Sequence, residues 1–188
     1  MKDFRFSTYL IGAMQITAEG DNGEAKREKL EEEYLARKVY PINPCSSEEL
    51  RTGMSSEEFG AKMKGWIASG HWDLFKVYSD YIWKGNNKID KQGNLVYIPG
   101  DIHAVEISNW VTAIFNHHDE PCGMYFEAGL AYKLNIPIYL LTDVPKRELK
   151  HSFLNFIVGS GGEVFHTRHD LFHFLDAKYN LVRGKVSK

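Results

Sequence analysis

The stretch WVTAIFNHHDEPCGMYFEAGLAYKLNIPIYLL (residues 110–141) decides the fold. It begins with an apolar run at Trp110–Phe115, continues with apolar residues at helical spacing over 124–134, and ends in a nearly continuous apolar run over 136–141. Two short apolar runs joined by an amphipathic helix are typical of parallel strands linked by a crossover helix. The stretch therefore predicts an α/β protein with a buried parallel sheet.

The parts of the chain on either side extend this pattern. Residues 6–14 predict a first strand that ends in a tight turn at Gly12-Ala13, and Asp21-Asn22-Gly23 is a capping cluster before a helix that reaches Lys38. A short strand at Val39-Tyr40 is predicted to stop at Pro41. A weak strand at 163–165 and a closing helix at 170–179 complete a flavodoxin-like (Rossmann-like) three-layer domain with a five-stranded parallel sheet.

The segment 43–100 is less regular than its surroundings. It contains Ser-Ser-Glu-Glu twice, two predicted helices, and a Gly/Asn-rich stretch over 84–94; the helices carry Trp66, Trp72, Tyr81 and Trp83. We interpret the chain as a single domain, residues 1–188, with an insertion at about 43–100. Long insertions at strand ends are commonly functional loops, so we expect this one to act partly as a lid.

Composition excludes several classes of partner. The chain of 188 residues is 43% hydrophobic and 26% charged, and its formal net charge is −2. Polynucleotides are therefore not expected as ligands, because the chain lacks the global positive charge that neutralises phosphates. No run approaches the ~18 apolar residues of a membrane span. With only two cysteines and no secretory pattern in its first residues, the protein is expected in the cytoplasm.

Two carboxylates are candidates for chemistry at the carboxyl edge of the sheet, where ligands bind in such folds. Glu127 is predicted in the first turn of a helix, where the dipole favours the ionised form that a nucleophile needs; a first-turn acid also serves simply to complement the dipole. Asp101 follows Gly100 at a predicted helix start, as an ordinary cap or as a catalytic acid. Such a pair could divide the roles of nucleophile and proton donor.

Three places in the chain resemble the nucleoside 2-deoxyribosyltransferase superfamily, which includes deoxynucleoside-monophosphate hydrolases and small phage-type members. The run from Tyr9 to Met14 is similar to the family's first strand and turn. Asp101 stands eight residues before Asn109, as the family's aspartate stands before its Ser/Ala-Asp. Gly123–Glu127 matches a Gly-x-x-x-Glu motif, with Gly-x-Ala and Pro-Ile after it. The chain departs from the family at four positions: Asn109, Trp110, Pro121 and Tyr125. Pro121 and Tyr125 argue against phosphate binding.

The resemblance implies a retaining reaction on the N-glycosidic bond of a nucleoside or nucleotide. Glu127 attacks C1′, a group near Asp101 helps protonate the leaving base, and water or a free base as acceptor resolves the glycosyl-enzyme. Tyr9 is expected to orient Glu127 or to be a core tyrosine. The expected substrate contacts are Gly12, Ala13, Met14, Gln15, Gly123 and Met124. The resemblance also implies no cofactor and a homo-oligomer whose neighbouring subunits complete the sites.

Two other interpretations compete with this one. His166, His169 and His173 share a possible helix face, and His117-His118-Asp119-Glu120 is a dense run of potential ligands. Both lie in charged, polar segments without a tight ligand framework, so we expect no metal. The rival function is a nucleotide-binding sensor or interaction protein that keeps the fold without turnover. Nucleotide binding without base release would favour the sensor.

Overall fold

The computed structural model describes residues 4–12, 24–90, 92–116, 122–182 and 184. The chain divides into two compact units. We call the first the sheet unit, which comprises Met1–Asn43 and Val105–Lys188, and the second the hairpin unit, which comprises Pro44–Ala104. The hairpin unit covers the segment that the sequence analysis treats as an insertion.

Strands and helices alternate along the sheet unit, and the hairpin unit interrupts that alternation. In chain order the elements are β1 (Phe6–Gly12), α1 (Glu24–Leu35), β2 (Val39–Ile42), α2 (Pro44–Thr52), α3 (Ser56–Ser69), α4 (Trp72–Lys84), β3 (Gly85–Ile89), β4 (Leu95–Pro99), α5 (Asp101–Glu106), β5 (Trp110–Phe115), α6 (Cys122–Lys133), β6 (Ile138–Thr142), α7 (His151–Gly159), β7 (Glu163–Phe165) and α8 (Arg168–Tyr179).

The sheet unit is built on a five-stranded sheet in the order β2-β1-β5-β6-β7, and every neighbouring pair of strands is parallel. This order confirms the predicted flavodoxin-like α/β fold. Chain connections run outward in opposite directions from the β1/β5 pair. That pair is therefore the switch point at which ligands bind in open α/β sheets.

Side chains alternate between the two faces of β1 and so divide the core of the sheet unit. Leu10 packs into an apolar cluster with Leu30 and Tyr34 of α1 and with Phe172 of α8. Tyr9, the adjacent residue, forms a hydrogen bond to a side chain of α6. Helices α1 and α8 therefore cover one face of the sheet, and α6 covers the other. These are the three layers of the fold.

Several predicted boundaries are wrong. The second strand does not stop at Pro41: β2 continues to Ile42, because it is an edge strand and a proline at an edge removes no ladder hydrogen bond from a central pair. Helix α6 begins at Cys122, two residues earlier than predicted. Helix α7 was not predicted. The predicted end of the first strand at Met14 and the capping cluster at 21–23 lie outside the described residues.

In the described part of the predicted insertion there are three helices, not two, followed by an antiparallel pair of strands in place of the predicted irregular stretch. Ser55 and Glu58 form a capping box at the start of α3. The β3–β4 turn is closed by Asp90, whose Oδ1 accepts hydrogen bonds from the amides of Gln92 and Asn94. Gly93 supplies a positive φ of 84° in this turn.

None of the helices in the described part of the chain is long and apolar enough to span a membrane.

Candidate functional site

The hydroxyl of Tyr9 donates a hydrogen bond of 2.8 Å to Oε1 of Glu127. Tyr9 is fully buried at the centre of β1, and Glu127 is 8% exposed on α6. The contact joins a sheet strand to the helix that covers it, so neither side chain can rotate without breaking it. The structure thus brings two of the predicted catalytic residues together and fixes the direction of the Glu127 carboxylate.

The predicted position of Glu127 in the first turn of its helix is wrong. Because α6 begins at Cys122, Glu127 lies in the second turn. The effect of the helix dipole falls off within the first turn, so it contributes little at this position. The hydrogen bond from Tyr9 instead helps to hold the carboxylate in place.

Gly12, a predicted substrate contact, has close neighbours of its own. A Cβ atom at this position would lie 3.0 Å from Nη2 of Arg27 and 3.0 Å from the carbonyl oxygen of Ile114. The end of β1 is therefore packed tightly against α1 and β5. The absence of a side chain at Gly12 makes room for a guanidinium group.

Arg27 is a buried residue of this region that was not predicted from the sequence. It is 1% exposed, although it lies in a helix made mostly of charged residues. Its burial could have been predicted from its spacing. Arg27, Leu30 and Tyr34 stand three and four residues apart and so share the buried face of α1. This arginine places a buried positive charge beside the carboxyl end of β1.

The remaining predicted contacts divide into three groups. Ala13, Met14 and Gln15 lie outside the described residues. Gly123 is exposed in the first turn of α6. Met124 is 2% exposed, so its side chain belongs to the core and only its backbone is suited to the predicted contact.

Asp101 lies in the hairpin unit at the start of α5, where it forms a buried ion pair. Its Oδ1 accepts a hydrogen bond of 2.9 Å from Nη2 of Arg51, and the two side chains are 7% and 1% exposed. Arg51 also donates to the carbonyl of Pro99. The proposed role of Asp101 in protonating the leaving base stays a prediction.

A second polar cluster crosses the α1 face of the sheet. The hydroxyl of Tyr34 lies 2.6 Å from that of Thr112, which lies 3.0 Å from the hydroxyl of Thr8. All three residues are completely buried. Burial raises the pKa of the Tyr34 phenol to about 12, although the hydrogen bond to Thr112 opposes this shift. The three hydroxyls therefore form a short chain of hydrogen bonds between α1 and the two central strands.

The histidines of the C-terminal segment point to different partners. Nδ1 of His166 donates to the carbonyl of Thr142 at 3.0 Å, while the rings of His169 and His173 stack at 6.2 Å. Within the described ranges, no three His, Cys, Asp or Glu side chains are grouped to hold a metal ion. The run His117–Glu120 lies outside those ranges.

Compared with known protein families and with curated proteins, the chain gives no match.

Proposed function

We propose that this protein cleaves or transfers the N-glycosidic bond of a nucleoside or nucleotide, with Glu127 as the nucleophile. The observation that carries the proposal is the 2.8 Å hydrogen bond from Tyr9 to Glu127. A carboxylate nucleophile has to approach one carbon atom along one direction, and a buried donor on a rigid strand holds it in that direction. The Gly-x-x-x-Glu motif at Gly123–Glu127 supports the same role.

The proposed reaction has two displacements at C1′. In the first, a carboxylate oxygen of Glu127 bonds to C1′ while the C1′–N bond breaks, and the electron pair leaves with the base, which takes up a proton. In the second, water or another base bonds to C1′ and gives up a proton, while the ester bond to Glu127 breaks. The sugar thus retains its configuration. No cofactor takes part in either step.

A covalent trap tests this proposal directly. A 2-fluoro-2-deoxy nucleoside destabilises the oxocarbenium-like transition state of the second step, so the glycosyl-enzyme should accumulate. We expect intact-mass analysis to show one adduct, mapped to Glu127 by peptide sequencing. Glu127→Gln should show neither the adduct nor turnover while still binding the nucleoside, and the matched variant Glu32→Gln, altered on the exposed face of α1, should behave as wild type.

The outcomes separate the two candidate functions. The protein is incubated with a panel of ribo- and deoxynucleosides and their monophosphates, with and without free bases, and the products are separated by chromatography. Released base indicates a hydrolase, and exchanged base indicates a transferase. Nucleotide binding without either product would instead support the non-catalytic sensor, and full activity in Glu127→Gln would refute the nucleophile.

We also propose that the protein is a homo-oligomer. Helix α4 of the hairpin unit has no fully buried residue, and Trp72 is 60% exposed, with Leu74 and Val77 also exposed. Exposed apolar and aromatic side chains on one helix are typical of protein contacts. A monomeric mass at micromolar concentration in light scattering would contradict this part of the proposal.

A further inference from the structure

The sheet unit contains a pocket of about 310 Å³ at its carboxyl edge. Lys26 and Lys29 reach it from α1, and Asn116 and Asp143 follow β5 and β6. His166 follows β7, and Arg168 is the first residue of α8. Because α1 and α8 cover the face of the sheet opposite α6, the pocket lies on the other face from Glu127. The proposed catalytic carboxylate therefore takes no part in it.

Positive charge predominates in this pocket. Lys26, Lys29 and Arg168 are cationic, and among the described residues that line the pocket only Asp143 is acidic. Over the described ranges, no acidic side chain pairs with Lys29 or Arg168. Lys26 and Arg168 also lie in the first turn of their helices, where the helix dipole disfavours positive charge. An anion in the pocket would pair with these cations and would also interact favourably with the helix dipoles.

Hydrogen bonds already orient part of the pocket. When the side-chain amide of Asn116 donates to the carbonyl of Phe115, its oxygen accepts from Nζ of Lys26 at 2.7 Å. Nδ1 of His166 donates to the carbonyl of Thr142, which directs the rest of the ring and its Nε2 away from that strand. Two of the polar groups are thus positioned before any ligand arrives, which lowers the entropic cost of binding.

We propose that this pocket binds a phosphate group, carried by a phosphomonoester or as inorganic phosphate. Lysine and arginine side chains supply several charged donors to the three or four oxygens of a phosphate, and arginine can donate two parallel hydrogen bonds. The volume lies at the lower end of the roughly 300–1,000 Å³ typical of small-molecule pockets, which leaves room for a group attached to the phosphate. The site uses neither Pro121 nor Tyr125, and it stands independently of the chemistry proposed for Glu127.

Calorimetric titration of the full chain tests the site with three probes: inorganic phosphate, 2-deoxyribose 5-phosphate and 2-deoxyribose. We expect saturable binding of the phosphorylated sugar, weakened by added salt, and no binding of the unphosphorylated sugar. Arg168→Gln and Lys29→Met should each reduce the affinity by about tenfold or more. The matched variants Arg147→Gln and Lys133→Met, altered at exposed positions outside the pocket, should leave it unchanged.

The probes also identify the source of the phosphate. Tighter binding of the sugar phosphate than of phosphate supports a phosphomonoester ligand, whereas equal binding of both, lost in the two pocket variants, supports inorganic phosphate. Absence of binding to either anion at about 10 mM, or binding that Arg168→Gln and Lys29→Met do not weaken, would overturn the proposal. Since none of these probes contains a glycosidic base, the result does not depend on whether Glu127 is a nucleophile.

Discussion

The side chains of Tyr9 and Glu127 form a 2.8 Å hydrogen bond although they stand 118 positions apart in the sequence. The parallel pairing of β1 with β5 makes this possible, because α6 follows β5 and returns across the face on which Tyr9 lies. The fold itself therefore sets the geometry of the proposed nucleophile.

Tyr9→Phe should separate positioning from binding. The variant keeps the buried ring and removes only the hydroxyl, so the carboxylate of Glu127 loses the group that fixes its direction. We expect kcat to fall by about tenfold or more while KM changes little, as measured by steady-state kinetics on a nucleoside that the protein cleaves. Tyr40→Phe, which removes a hydroxyl from an exposed ring, is the matched control. Unchanged kcat in Tyr9→Phe would show that the hydrogen bond is purely structural.

Gly12→Ala should destabilise the sheet unit. The added methyl group would meet the guanidinium of Arg27 and the carbonyl of Ile114 at 3.0 Å, and a backbone carbonyl in a central strand cannot easily move. We expect a loss of about 1–3 kcal/mol in the free energy of unfolding, measured by urea denaturation. Gly65→Ala is the control: its position in α3 has open space, so there the change should stabilise by about 0.5–1 kcal/mol. An equal gain at both positions would contradict the close packing at Gly12.

Stability should fall at alkaline pH through Tyr34. Its pKa is about 12 in the folded chain and 10.0 for the ordinary phenol, so the unfolded chain releases its proton first. The contribution of Tyr34 to the free energy of unfolding is therefore complete below pH 10. It falls by roughly 3 kcal/mol between pH 10 and pH 12. The difference in unfolding free energy between wild type and Tyr34→Phe should shrink by that amount over this range. A difference that stays constant from pH 9 to pH 12 would show that the phenol is not buried as described.

The ion pair between Arg51 and Asp101 should be essential for the stability of the hairpin unit. Asp101→Asn leaves the buried guanidinium of Arg51 without its counter-charge, and removing one partner of a buried pair typically costs about 3–5 kcal/mol. Replacing both partners, in Arg51→Met with Asp101→Leu, should recover most of this loss. For comparison, Asp80→Asn removes an exposed partner of Lys76 and should have no measurable effect. If Asp101→Asn is equally harmless in thermal and urea unfolding, the pair contributes little.

The sheet could be predicted from the sequence because its strands are continuous apolar runs. Residues 110–115 and 138–142 are buried on both faces, so almost every position is apolar. The hairpin β3–β4 could not be predicted, because none of its strand residues is buried and β3 begins with Gly85, Asn86 and Asn87, which have low strand propensity. Its main signal was the Asp90 turn. Helix α7 is short and mostly apolar, and such a run has no period that separates it from a strand.

The candidate site was only partly predictable for a related reason. Tyr9 and Glu127 stand in recognisable sequence patterns, whereas the pocket proposed to bind phosphate collects residues from 26 to 168 that are unremarkable in their own segments. Lys26 and Lys29 belong to a helix in which most residues are charged. That the two lysines line one pocket with Arg168 follows only from the fold, which places α1 and α8 on the same face of the sheet.

The two borders of the sheet limit how copies of this chain can associate. One border strand, β2, contains Pro41, which has no amide hydrogen to donate, and the other, β7, spans three residues. Neither gives an incoming strand a continuous ladder of donors and acceptors. The five-stranded sheet is therefore poorly suited to being extended by a strand from another copy of the chain, which protects these two borders from the edge-to-edge growth that produces fibrils.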